Sequence, residues 1–188
     1  MTGWIFNASP VILLGKIHQL HLIEALSPGF RIPRAVIEEI GAGCSDDPAV
    51  KWLKEPSIAD HIVDAPAAPP FLVQWDLGAG ETAVLSLALA QNGAHVPVHQ
   101  APECRVLSLA LAQNGAVAVL DDLAARKFAL TFQVPLLGTL GLLIRAKNAG
   151  LVGRIAPHIQ NLESAGANLS HAVIARALLL ANEARPET

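Results

Sequence analysis

The sequence has too few cysteines for a disulfide-stabilised fold and no excess of positive charge. The two cysteines, Cys44 and Cys104, do not make a disulfide framework, which favours a reducing compartment. The formal net charge is -3, so the chain as a whole does not attract nucleic acid. Any contact with RNA must therefore come from a local patch of positive charge.

No segment has the features of a membrane span or of a signal peptide. The longest apolar stretch without charge, 128–144, is interrupted by Gln133, Pro135, Gly138 and Gly141. It is shorter than the ~20 apolar residues that a spanning helix needs. The first nine residues lack a basic region and a small-residue cleavage site. We therefore expect a soluble, cytoplasmic protein without membrane contact.

The residues that are present suffice for one domain with a large core. The chain has 188 residues, of which 52% are hydrophobic. Short apolar segments alternate with amphipathic segments, which predicts an α/β fold with a parallel sheet. The predicted strands lie at 4–6, 30–32, 61–63, 116–120 and 134–137. We expect a main domain at 1–155, and a helical extension at 156–188 that packs on the same domain.

Two polar residues stand where a predicted strand ends and a helix begins. Asn7 follows the first strand and precedes a predicted helix with Pro10 in its first turn and an apolar face from Val11 to Leu20. Asp121 follows the fourth strand. Parallel sheets bind their ligands at the carboxyl ends of the strands. This edge of the sheet is therefore the predicted site. Asp121 is also expected to cap the helix that follows it.

The sequence contains an internal repeat. The letters VLSLALAQNGA occur at 84–94 and again at 106–116, and Glu81 and Glu103 hold equivalent positions. Two copies are too few for a solenoid, so a local duplication is indicated. We expect one copy in the core and the other as an extra helix on the surface. Such a helix could mediate a dimer or a swap.

Five carboxylates are candidates for chemistry: Glu38, Glu39, Glu81, Asp121 and Asp122. If they converge at strand ends, they would bind Mg²⁺ or Mn²⁺, which prefer oxygen ligands. Such an ion activates water and stabilises charge on a phosphoryl oxygen. Each residue also has a structural explanation. The aspartates can cap a helix, Glu81 can favour a first helical turn, and Glu39 can be solvated or ion-paired.

The basic residues form two local clusters that we expect near this site. Arg126 and Lys127 make the first, and Arg145 and Lys147 make the second. Arg126 could bind a phosphate, or it could pair with Asp122 at a spacing of four residues on a helix.

Other motifs are weaker. His95, His99 and Cys104 have a spacing that could bind Zn²⁺, but two intervening prolines and the lack of a fourth ligand argue against a zinc site. The Gly-Ala-Gly turn at 78–80 lacks the third glycine and the preceding strand of a dinucleotide fingerprint. Phosphate-loop and serine-hydrolase motifs do not occur.

The order of five segments resembles PIN domains, in particular the DUF3368-type branch that is grouped with VapC-type toxin ribonucleases. The segments are WIFNASPVILLGKIHQL, RIPRAVIEEI, DLGAGETAVLSLALA, AVAVLDDLAARKFA and VPLLGTLGLLIRAKNAGLV. The resemblance covers roughly residues 3 to 155. It implies a three-layer fold with a central parallel sheet between helices. The duplicated segment, 81–116, would add an extra helix to that fold.

The resemblance also implies a function. It points to an endoribonuclease that depends on Mg²⁺ or Mn²⁺ and that is the toxin of a toxin–antitoxin pair. A small antitoxin encoded beside such a toxin holds it inactive. Asn7, Glu39, Glu81 and Asp121 would form the catalytic site, and three of these, Asn7, Glu81 and Asp121, would bind the metal. A homodimer is expected.

Further residues would support that site. Ser9 would bond a water on the metal, and Asp122 would lie close to Asp121. Arg126 and Lys127 would contact the RNA.

The chain departs from the PIN pattern in two places. Asn7 stands where PIN nucleases have an aspartate, and the duplication offers both Glu81 and Glu103 for one position. We favour Glu81, because it has the matching Gly-Ala-Gly lead-in. The alternative function is a catalytically inactive PIN-like module that binds RNA or a protein partner. A chain poorly folded because of its duplication is a third hypothesis, which a cooperative thermal transition would contradict.

Overall fold

A computed structural model describes residues 3–93 and 115–183. The strands are β1 (Trp4–Phe6), β2 (Ile32–Pro33), β3 (Ile62–Val63), β4 (Val117–Val119) and β5 (Leu136–Leu137). The helices are α1 (Ala8–Lys16), α2 (His21–Leu26), α3 (Arg34–Gly41), α4 (Pro48–Trp52), α5 (Pro70–Val73), α6 (Ala79–Gln91), α7 (Leu123–Thr131), α8 (Thr139–Asn148), α9 (Ala156–Ser164) and α10 (His171–Leu180). A 3-10 helix covers Pro56–His61.

All strand pairs are parallel. One sheet has the order β1-β4-β5, and β2 pairs with β3. A parallel bridge between Ile5 and Arg31 connects β1 to β2. The predicted α/β fold, a parallel sheet flanked by helices, is therefore confirmed.

The central strands are buried on both faces, which explains their unbroken apolar sequences. Every residue of β1 and of β4 is buried. Helices cover both faces of such a sheet, so its strands do not alternate between apolar and polar residues.

The first copy of the repeat forms a core helix. Within α6, the residues from Ala83 to Leu89 are buried. The second copy lies outside the described residues, apart from Gly115 and Ala116, and so do Glu103 and the histidines and cysteine of the possible zinc motif. The extra surface helix stays a prediction.

The first helical segment is shorter than predicted. The sequence indicated a helix that continues to Leu20, but α1 ends at Lys16 and α2 begins at His21. His18 has a φ of 56° and its amide bonds back to the carbonyl of Gly15, so the chain leaves the helix through a left-handed residue.

A buried carboxylate ties the end of the described chain to the domain. Glu183 accepts hydrogen bonds from Lys147 at 2.7 Å and from the amides of Ile155 and Ala156 at 2.7 and 3.0 Å. Burial opposes its ionisation, but these hydrogen bonds outweigh burial and hold the pKa of Glu183 below its usual value. The carboxylate thus joins the end of α8 to the start of α9.

No helix among the described residues is both long and apolar enough to cross a membrane.

We expect Glu183→Gln to lower the free energy of unfolding by about 2 kcal/mol at pH 7, because a hydrogen bond to a charged group contributes ~1.5–3 kcal/mol. The folded-state pKa is lowered, so this stabilisation is complete above the ordinary carboxyl pKa of about 4.3 and is lost as the pH falls through the lower folded-state value. Urea unfolding at pH 7 and at pH 3 measures both effects. The exposed Glu163→Gln is the control, and equal losses in the two variants would contradict the assignment.

Candidate metal centre

The pairing of β1 with β4 places Asn7 at the carboxyl edge of the sheet. The Asn7 amide donates to the carbonyl of Val119 at 3.1 Å, which continues the β1–β4 ladder by one residue. Asn7 precedes α1 in an extended conformation, but its side chain does not cap that helix. The side chain is therefore available for contacts at the edge of the sheet.

Asn7 and Glu81 make direct contact in this place. Asn7 Nδ2 donates a hydrogen bond of 2.8 Å to Glu81 Oε1, across 74 residues of sequence. Asn7 is only 1% exposed, and its Oδ1 has no hydrogen-bond partner. A buried acceptor without a donor is costly, and it needs an explanation.

Gly80 allows Glu39 to reach the same place from α3. A Cβ at position 80 would lie 2.7 Å from Asn7 Oδ1 and would also overlap Glu39 Oε2. Both oxygens thus border the space beside the first turn of α6. Glu81, which belongs to that turn, completes a cluster of three oxygen-bearing side chains.

The cluster is electrostatically unfavourable by itself. Partial burial of Glu39 raises the pKa of its carboxyl above the usual value, and the charge of Glu81 raises it further. A cation between these side chains would relieve the repulsion.

The Asp121 side chain is fixed by the start of α8. Thr139 donates to both carboxylate oxygens, from its amide to Oδ1 at 2.9 Å and from its hydroxyl to Oδ2 at 2.5 Å. Arg126 donates to the carbonyl of Leu120 at 2.9 Å, and so holds the end of β4 that carries Asp121. No pattern in the sequence indicates that Thr139 contacts Asp121. The contact arises from the pairing of β4 with β5.

The sequence model of the DUF3368 family, a PIN domain, matches residues 3–99 and 98–183. The chain belongs to this PIN-domain family. The two matches meet between the copies of the repeat, as expected for a duplication inside one domain. No curated protein sequence matches the chain. PIN domains have a nuclease-type fold, generally use divalent metals and typically bind RNA.

The PIN-domain residues at this edge fit a divalent cation in their chemistry. Two carboxylates and an amide oxygen converge, and Mg²⁺ and Mn²⁺ prefer such oxygen ligands. The unpaired Asn7 Oδ1 would gain a partner in the cation. Among residues 3–93 and 115–183, however, no three His, Cys, Asp or Glu side chains lie close enough together to hold a metal by themselves.

Asp122 and Ser9, the two residues predicted to support the site, lie in the first turns of two different helices or just before them. Asp122, rather than Asp121, caps α7, and its Oδ1 accepts from the amide of Ala125 at 2.8 Å. The prediction that Asp121 is the cap is therefore wrong, since both of its oxygens bond to Thr139. Ser9 lies half-buried in the first turn of α1.

The second basic cluster lies at the other end of the PIN domain. Arg145 stacks over the ring of Trp4, which begins β1, and Lys147 pairs with Glu183. Asn7 follows the opposite end of that strand. The expectation that Arg145 and Lys147 lie near the site is therefore wrong. It failed because the rise of α8 places Arg145 about 9 Å and Lys147 about 12 Å along the helix axis from Thr139. Lys127 is exposed on α7.

An open groove of about 420 Å³ lies between the start of α3, the segment after β3 and α6, and none of the cluster residues lines it. Its charged lining residues, Arg34 and Asp64, pair with each other at 2.8 Å. Arg34 thus does not pair with Glu39, which leaves the Glu39 carboxyl for the cluster. The paired charges give this groove little net attraction for phosphate.

We expect Glu39→Gln to raise the melting temperature at pH 7 in the presence of a chelator. The folded-state pKa of Glu39 is raised, so ionisation destabilises the native state once the pH exceeds the ordinary carboxyl pKa. Exposed charges interact by at most ~1 kcal/mol, which corresponds to about 2–4 °C in a domain of this size.

Calorimetric scans at pH 7 and at pH 4 test this expectation. The gain should shrink at the lower pH, because protonation of Glu39 removes the charge that is disfavoured in the folded state. Glu38→Gln, on the exposed neighbouring residue, is the matched control. A lower melting temperature for Glu39→Gln at pH 7 would show that the Glu39 carboxylate is not destabilised by burial and by the charge of Glu81.

Proposed function

We propose that the protein is an endoribonuclease that hydrolyses RNA phosphodiesters with Mg²⁺ or Mn²⁺ at the Asn7–Glu39–Glu81 cluster and Asp121. One observation carries the proposal: the buried, unpaired Asn7 Oδ1 lies beside two carboxylates that repel each other. The PIN-domain membership supports the reaction class, since this fold is of the nuclease type.

The residues have separate roles in this proposal. Asn7 Oδ1, Glu39 and Glu81 offer oxygens to the cation, and the Asn7 amide nitrogen holds Glu81 in position. Asp121, oriented by Thr139, adds negative charge at the same edge. When bound, the metal lowers the pKa of water and stabilises charge on a phosphoryl oxygen.

Contact with the RNA backbone is assigned to α7. Lys127 is exposed and free of the contacts that hold Arg145 and Lys147 at the other end of the domain. Arg126 is already bonded to the carbonyl of Leu120, so its first role is to support β4. Because the salt dependence of binding reflects the number of phosphates neutralised, and α7 offers only two cations, RNA binding through this helix should weaken only gradually with salt.

We expect Asp121→Asn to abolish RNA cleavage and Thr139→Val to reduce it by roughly 10–100-fold, the usual cost of losing a group that orients a metal-site residue. Thr139→Ser keeps the hydroxyl and should retain cleavage. The measurement is RNA cleavage with Mn²⁺ and with excess chelator, together with calorimetric titration of Mn²⁺ on the same samples. Cleavage that survives in Asp121→Asn or in chelator would overturn the proposal.

We further propose that the protein is the toxin of a toxin–antitoxin pair and acts as a homodimer. The resemblance to VapC-type toxins supports this role. Induced expression should arrest growth, and Asp121→Asn should not. Co-expression of a small protein encoded beside the toxin should restore growth by forming a complex with it. Equal growth with the wild type and with Asp121→Asn would contradict the toxin role.

A second candidate is a catalytically inactive PIN module that binds RNA or a protein partner. Two contacts favour it, because Glu81 already accepts from Asn7 and both Asp121 oxygens already accept from Thr139. These carboxylates are thus partly satisfied without a metal. Absence of Mn²⁺ binding in the wild type, with a retained partner in pull-down, would favour this function.

A further inference from the structure

Two stretches of the chain could in principle form α6. The eleven residues of each copy are identical, and the residues before them, 78–83 and 100–105, read GAGETA and QAPECR. The buried positions from Val84 to Leu89 have the same side chains in both copies. Burial of these positions therefore cannot decide which copy is used.

Loop length cannot decide the matter either. The copies start 22 residues apart. If the first copy forms α6, the 22 additional residues follow the helix, and if the second copy forms it, the 22 additional residues precede the helix. The entropy of closing a flexible loop depends on its length, and this cost largely cancels between the alternatives. The choice falls to the differing residues just before the repeat.

The structure identifies Gly80 as the decisive difference. Its equivalent in the second copy is Pro102. A Cβ at position 80 would lie 2.7 Å from Asn7 Oδ1 and would overlap Glu39 Oε2. Proline has that Cβ and a ring besides, so the second copy would push apart the side chains that form the cluster.

Position 83 does not discriminate between the copies in the same way. Ala83 lines the open groove between α3 and α6, and its equivalent, Arg105, has a side chain that could extend into that groove. The choice between the copies therefore depends on position 80.

We propose that Gly80 is a positioning residue of the candidate metal centre and that it restricts α6 to the first copy. The proposal assigns the site carboxylate to Glu81 and leaves Glu103 outside the site. It rests on the proposed function only for its metal readout, because the hydrogen bond from Asn7 Nδ2 to Glu81 gives a second readout without metal.

The test exchanges the two lead-in segments within the full chain, which places QAPECR at 78–83 and GAGETA at 100–105. Glu81→Gln and Glu103→Gln are then made in the native and in the exchanged chain. The readouts are the side-chain amide resonances of Asn7 in chelator, observed by NMR, and calorimetric titration of Mn²⁺.

In the native chain, Glu81→Gln should shift the side-chain amide resonances of Asn7 in chelator, because it changes the acceptor of their hydrogen bond, and should abolish Mn²⁺ binding. Glu103→Gln should do neither. In the exchanged chain, the two variants should trade these effects. An effect of Glu103→Gln in the native chain, or a continued dependence on Glu81 after the exchange, would overturn the proposal.

A single substitution keeps the test decisive if the exchanged chain does not fold. Gly80→Ala should weaken Mn²⁺ binding at least tenfold. Gly41→Ala on α3, where a Cβ would meet open space, is the matched control. Native Mn²⁺ affinity in Gly80→Ala would overturn the role of Gly80. If the wild type binds no Mn²⁺, the proposed function fails, and the Asn7 amide resonances of the two glutamine variants still test the assignment.

Discussion

The parallel pairing of β1 with β4 determines where the candidate site residues stand. Phe6 lies opposite Val119, and the next amide, that of Asn7, continues the ladder. Side chains alternate between the faces of a strand, so a slip of one residue would turn Asn7 away from Glu81. The register is strongly specified because both strands are buried on both faces. The same ladder extends to β5, where Val119 lies opposite Leu137 and Thr139 follows within reach of Asp121.

The sequence predicted the parts of this arrangement that depend on local pattern. Apolar segments marked the strands, and their polar ends marked Asn7 and Asp121. It could not predict the contact of Thr139 with Asp121, which joins residues 18 positions apart through strand register. The direction of the Asn7 amide and the closeness of Glu39 to Gly80 likewise come from packing of α3 against α6. The break after α1 was missed because a histidine, rather than a glycine, takes the left-handed conformation.

Asn7 has an electrostatic advantage over an aspartate in this cluster. Its amide nitrogen donates to Glu81, and its oxygen remains for a cation. An aspartate would bring a stronger ligand, but it would also add a third negative charge and remove the donor that holds Glu81. Because the pKa of Glu39 is already raised by burial and by Glu81, a third carboxylate would increase the repulsion in the metal-free protein. The amide thus limits the cost of keeping two carboxylates together before a metal binds.

The same geometry explains how one PIN domain can accommodate a duplication in its core region. Asn92 Nδ2, just after α6, donates to the carbonyl of Ala116 at 3.1 Å, so the residues between them leave and rejoin the domain at neighbouring points. This junction lies at the start of β4, and the candidate site lies at its other end. Because Asn92 and Ala116 already lie close together, an insertion between them is compatible with the pairing of the sheet. The cluster depends instead on the first turn of α6, where a side chain at position 80 would separate Asn7 and Glu39. The cluster therefore depends on the lead-in to the helix, where the two copies differ in sequence, and the identical residues follow after it.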